Sequence, residues 1–137
     1  MELRFGFSMN PLDLGEVRAV AADAEAAGYN RVGIWDSPAL YLDPWITLAA
    51  VSTSTTSLRI GTWVTNPLTR HPVVTANAAA TLDALAPGRV VIGIGTGDSG
   101  VYNLAGRAAP LDRLTEYVRA LRGLLADGRA LWEGNEL

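Results

Sequence analysis

Four times along the chain, an apolar run of strand length breaks off in small and polar residues, and a stretch with helical spacing follows. The runs are residues 3–9, 31–36, 58–65 and 89–96, and their starts fall roughly thirty residues apart, the length of one βαβ unit. The clearest is Arg59-Ile60-Gly61-Thr62-Trp63-Val64-Thr65, which runs straight into Asn66-Pro67. The stretches between the runs read as helices. Asp13 with Glu16 three residues on is a capping-box-like start, Val17, Val20, Ala21 and Ala24 keep helical spacing, and Gly28 closes the segment. Asp43-Pro44 opens a second helix to about Thr55, with proline in the first turn, where its missing N–H costs nothing. A third runs from Pro72 to Ala86 and stops at Pro87-Gly88. A fourth starts at Pro110, places Leu111, Leu114, Val118, Leu121 and Leu125 on one face, and ends at Asp127-Gly128.

The order βαβαβαβα with right-handed crossovers predicts an α/β fold with a parallel sheet and helices outside it. Two architectures fit: an open doubly wound sheet, or part of a (β/α)8 barrel. A complete barrel needs about 200 residues or more, so 137 residues would supply its first half. Residues 129–137 read as the start of another extended segment. The expectation is one domain over residues 1–137, truncated relative to its natural fold.

Composition narrows the function classes. The net charge of −3 argues against a nucleic-acid or anionic-membrane surface. The chain has no cysteine, which rules out disulfides and Cys-ligated metals and fits a cytoplasmic protein. His71 is its only histidine, so a His-rich metal site is excluded, and its place before Pro72 fits a helix start. No long uncharged apolar run marks a membrane span, and the first residues lack a basic-then-apolar leader pattern.

A parallel sheet gathers the carboxyl ends of its strands, where ligands bind in such folds. The ends here bring together Ser8 and Met9, Asp36 and Ser37, Thr65 and Asn66, and Thr96 to Ser99. Asp36 and Asp98 are the carboxylates of this set, and partial desolvation would suit either to proton transfer. Each also has a plainer reading: a helix or turn cap for Asp98, a hydrogen bond to neighbouring backbone for Asp36. Gly95-Thr96-Gly97-Asp98-Ser99-Gly100 matches the three-glycine dinucleotide pattern, but clear helical periodicity waits until Pro110. Close backbone approach to a flat or phosphorylated ligand is the better use of these glycines, with a ligand-free tight turn as the alternative. Trp35, Trp45 and Trp63 read as packing residues. No Gly-x-Ser-x-Gly elbow is present, which argues against a hydrolase.

Trp35-Asp36-Ser37-Pro38, Thr65-Asn66-Pro67 with Thr69-Arg70-His71-Pro72, Ala79-Thr81-Leu82-Asp83 before Pro87-Gly88-Arg89, and Gly93 to Ser99 carry a family resemblance. Together they resemble the bacterial luciferase-like superfamily of flavin- and deazaflavin-dependent oxidoreductases, in its methylenetetrahydromethanopterin-reductase-like branch. The resemblance implies the N-terminal half of a (β/α)8 TIM barrel, ending before the family's insertion segment. It implies that the third strand bends around the cofactor's central ring, with a cis peptide near Trp63-Val64. Asp36, Ser37, Trp63, Val64, Thr65, Asn66, Gly95, Thr96, Gly97 and Asp98 would line the cofactor pocket, with Ser8 and Met9 toward the substrate and Asp98 as proton donor. Two positions depart from relatives. Ser37 stands where deazaflavin alcohol and sugar-phosphate dehydrogenases place His, and Ser8 stands where the reductase carries Glu. The implied function is hydride transfer between deazaflavin coenzyme F-420, or a flavin, and a small organic substrate. One alternative is an FMN-dependent monooxygenase using dioxygen. The other is a non-catalytic half-barrel that works only by association. Unpaired terminal strands would in either case favour a homo-oligomer.

Overall fold

The computed structural model describes residues 3–137. Its strands β1 (Gly6–Met9), β2 (Arg31–Ile34), β3 (Arg59–Thr65) and β4 (Val90–Ile94) alternate with helices α1 (Leu14–Ala26), α2 (Pro44–Ser52) and α3 (Pro72–Leu85). The short helix α4 (Ser99–Tyr102), the long helix α5 (Leu111–Asp127) and the strand pair β5 (Leu131–Trp132) and β6 (Asn135–Glu136) complete the chain. The four main strands form one sheet in the order β1-β2-β3-β4. All its pairings are parallel. The expected strands and helices are therefore present, with most strand ends trimmed to the residues that find a ladder partner.

Each helix start has the chemistry its sequence signalled. Asp13 accepts from Glu16 N at 2.8 Å. Asp43 accepts from Trp45 N at 2.9 Å and Ile46 N at 3.0 Å, ahead of Pro44 in the first turn. His71 Nδ1 accepts from Val73 N at 3.3 Å at the head of α3.

Side chains alternate across the sheet. Val32, Ile34 and Ile60, with Phe7, Met9, Val90 and Ile92, pack against Val17, Leu48, Val51 and Leu82 of the helices in one apolar core. On the opposite face, Ser8, Gly33, Gly61 and Val91 stand side by side in register. Glycine is required in this row. A Cβ on Gly61 would lie 1.6 Å from the Val91 carbonyl oxygen, and one on Gly33 would lie 2.3 Å from Trp63 Cβ.

Two segments differ from expectation. Residues 129–137 do not wait as an open strand; they close on themselves as an antiparallel hairpin. Glu133 and Gly134 both take positive φ, 51° and 76°, which turns the chain back after two residues. Trp132 is buried between the ring edges of Tyr117 and His71, with the Arg113 guanidinium 4.1 Å above its ring. A one-turn helix, α4, also opens directly after the glycine-rich loop, well before Pro110. Its run is too short for periodicity to reveal. Among the described residues, no helix is long and apolar enough to cross a membrane.

Candidate functional site at the strand ends

The carboxyl ends of β2, β3 and β4 meet around Asp36. This side chain is 3% exposed. Its Oδ2 accepts from the Thr65 hydroxyl at 2.7 Å, and its Oδ1 has no hydrogen-bond partner among the described residues. Arg70, in the turn after β3, brings Nε to 4.0 Å from Asp36 Oδ2. That guanidinium spends its hydrogen bond on Asp43, the residue that caps α2. Burial pushes the Asp36 carboxyl up from its ordinary range, against the Thr65 hydroxyl and the Arg70 charge that pull it down. The plainer expectation for Asp36, a bond to neighbouring backbone, gives way to a side-chain partner in another strand.

Ser37 and Ser99 share a hydrogen bond of 2.8 Å between their hydroxyls, which ties the end of β2 to α4. Gly100 makes that approach possible, because a Cβ there would lie 2.5 Å from the Asp36 carbonyl oxygen. Asp98 is exposed and caps α4, its Oδ1 3.4 Å from Gly100 N. Thr96 contributes its carbonyl to Ala109 N at 2.7 Å. Asn66 is buried, and its Oδ1 accepts from Leu68 N and Thr69 N, each at 3.0 Å. Its carbonyl therefore builds the turn after β3.

Trp63 and Val64 are the open part of β3, at 41% and 40% exposure. The peptide between them is cis, and the β3–β4 register shifts between Thr62 and Thr65. Trp63 lies under the Arg31 guanidinium, 5.2 Å from its ring centre. Val64 covers the glycines at the end of β4 and just beyond it: a Cβ on Gly93 would lie 3.2 Å, and one on Gly95 3.0 Å, from its methyls. A Cβ on Gly97, at φ 104°, would lie 2.5 Å from Val101. The chain's own side chains thus occupy the space these glycines leave. At the surface this leaves Val64, half-exposed, lying against the glycine backbone.

Ser8 and Met9, expected together, face opposite ways, as consecutive strand residues must. Met9 packs into the helix-side core. Ser8 borders a hollow of about 370 Å³ with Arg31, Arg59 and Trp63, along the amino-terminal halves of the strands and away from Asp36. Sequence reasoning also left three neighbours of Asp36 without a site role: Arg70, Asp43 and Tyr117, the last buried with its hydroxyl 2.6 Å from Thr75 Oγ1. The one available signal was Thr69-Arg70-His71, a charged residue in the turn between a strand end and the next helix.

The 5,10-methylenetetrahydromethanopterin reductase of Methanolobus tindarius is 31% identical over 138 residues, covering 97% of this chain and 41% of that protein. The structure of the coenzyme F420 dependent tetrahydromethanopterin reductase from Methanopyrus kandleri matches with a TM-score of 0.87 at 26% identity, over 98% of this chain and 43% of that one. The monooxygenase RslO1 from Streptomyces bottropensis matches with a TM-score of 0.78 at 25% identity, over 97% of this chain and 46% of that one. These structural neighbours are luciferase-like TIM barrels, and the chain spans less than half the length of each relative. Residues 4–137 match the model of the luciferase-like monooxygenase family, and the chain belongs to that family.

Proposed function

We propose that residues 1–137 form one domain, the first half of a luciferase-like barrel, that takes part in hydride transfer between deazaflavin coenzyme F-420 and a small organic substrate. The observation that carries this reading is the half-exposed Val64 lying over Gly93 and Gly95, next in the chain to the buried polar residues Thr65 and Asn66, with Asp36 bonded to Thr65. A tricyclic ring system needs one apolar wall and polar partners along one edge. Val64 and the glycine backbone offer the wall. The unpartnered Asp36 Oδ1 offers one partner, and Asn66, whose Oδ1 is taken by the turn, has its amide nitrogen to offer as another. When bound, the cofactor supplies the hydride chemistry. The chain's own residues do the rest. Val64 and Trp63 exclude water from one ring face. Thr65, Asn66 and Ser37 fix the loops that line the pocket together with Gly95, Thr96 and Gly97. Asp98, exposed at the head of α4, exchanges a proton with solvent and delivers it to the substrate.

The named reductases among the relatives favour the deazaflavin. The likeness to a monooxygenase favours a second reading, an FMN-dependent monooxygenase using dioxygen. The same reading puts the protein in the cytoplasm and in a homo-oligomer acting on a small molecule, with the outer position of β1 in the sheet as support for association. Mass spectrometry and visible absorbance of the small molecule that co-purifies with the protein test the reading. Coenzyme F-420 is the expected result. FMN supports the second reading, and a protein that retains neither when supplied with both overturns the two together.

A further inference from the structure

Two carboxylates compete for one guanidinium at the strand ends. Arg70 donates through Nη2 to Asp43 Oδ2. The same side chain leaves its buried Nε without an acceptor, 4.0 Å from Asp36 Oδ2. That separation is too long for a hydrogen bond. Asp36 is left with a single donor, the Thr65 hydroxyl, and with Oδ1 unpartnered. A buried carboxylate with one hydroxyl donor is a poorly solvated charge, and the neutral acid costs less there. Asp43 is not so confined. Its Oδ1 is satisfied by Trp45 N and Ile46 N, and its side chain is 35% exposed.

We propose that Arg70 is a positioning residue shared between these two acids: while Asp43 holds its outer nitrogen, Asp36 keeps a proton, and loss of that hold lets Arg70 close on Asp36 and release the proton to solvent. The end of β2 thereby has two states. In one it presents a hydrogen-bond donor, in the other a charged acceptor paired with Arg70. Nothing in the reading of the cofactor site assigns a part to Arg70 or Asp43, and this inference deepens that reading by setting what Asp36 offers to a ring edge. The charged and titratable groups facing Asp36 are few. They are Arg70 from the turn after β3, Asp43 from the head of α2, and Tyr117 of α5, which senses both Arg70 and Asp36.

The test is a carbon-13 NMR titration of the Asp36 carboxyl in the protein without cofactor, so its failure and failure of the cofactor reading are separate results. Asp43→Asn keeps the oxygen that caps α2 and removes the charge that holds Arg70. The Asp36 midpoint is expected to fall by about 1–3 pH units, the range for a carboxylate gaining an Arg partner. Adding Arg70→Gln to Asp43→Asn is expected to abolish most of that fall. An Asp36 midpoint unmoved by Asp43→Asn, or one that falls equally with Arg70 replaced, overturns the proposal.

Discussion

Glu25 is the side chain whose removal gives the sharpest test of how the loop ahead of β3 is held. It lies in the last turn of α1, and its carboxylate gathers the chain just before β3. Oε1 accepts from Ser57 N and Leu58 N, both at 2.7 Å, and from the Ser57 hydroxyl at 2.9 Å. Oε2 accepts from Thr56 N at 3.0 Å. Partial burial works to raise its pKa, but the backbone bonds from Ser57, Thr56 and Leu58 and the Ser57 hydroxyl outweigh that and hold it down to about 2 from the usual 4.5. At about 1.4 kcal/mol per unit, that shift is worth roughly 3 kcal/mol, which solvent screening reduces to about 1–2 kcal/mol. The sign follows from linkage. The folded pKa lies below the unfolded one, so the stabilisation is fully present above about 4.5 and is lost as pH falls through about 2. Glu25→Gln replaces one acceptor oxygen with an NH2 facing the same backbone donors. Urea denaturation should therefore show the variant less stable by about 1–2 kcal/mol at neutral pH, with the slope m unchanged. The gap should close as pH approaches 2, where the wild-type carboxylate also takes its proton. A gap constant across that range, or none at neutral pH, would refute the reasoning.

Three further outcomes follow from particular contacts. Asn66→Leu removes the acceptor for Leu68 N and Thr69 N and should destabilise the protein by about 1–3 kcal/mol in urea as well as weakening cofactor binding. Asn66→Asp, which keeps the acceptor, should retain the stability, and a leucine variant as stable as wild type would remove the turn-building role. Trp132→Ala empties the slot between Tyr117 and His71 and should cost about 3–5 kcal/mol by the same assay. A cost under 1 kcal/mol would mean that the hairpin is not anchored there. Asp98→Asn preserves the α4 cap and removes the titratable proton, so turnover of the active enzyme should fall while the melting temperature holds. Unchanged turnover would leave Asp98 as a cap alone.

Much of this architecture is legible in the sequence because it is local. Runs such as Arg59 to Thr65 and the capping pairs before α1 and α2 carry their own signals, and parallel pairing follows from their spacing. What the sequence hides is tertiary. Arg70 meets Asp43 across 27 positions, and Tyr117 meets Thr75 across 42. No periodicity encodes such pairs. The glycines after β4 carry a second, local meaning that spacing does not show: a Cβ on Gly95 would meet Val64, and one on Gly97 would meet Val101. The hairpin at residues 131–136 leaves no periodic signal because its strands are two residues long, although Glu133-Gly134 is a turn pair of the right kind.

The most direct test of Val64, lying over Gly93 and Gly95, as a cofactor wall is a fluorescence titration of coenzyme F-420, with FMN as the parallel probe, against wild type and Val64→Asp. Val64 is half-exposed, so the substitution places a charge on the wall without disturbing the core. Saturable binding by wild type and an affinity at least about tenfold weaker in the variant, about 1.4 kcal/mol, with equal urea midpoints, is the predicted result. Equal affinity in the two proteins, or no saturable binding of either probe, would contradict it.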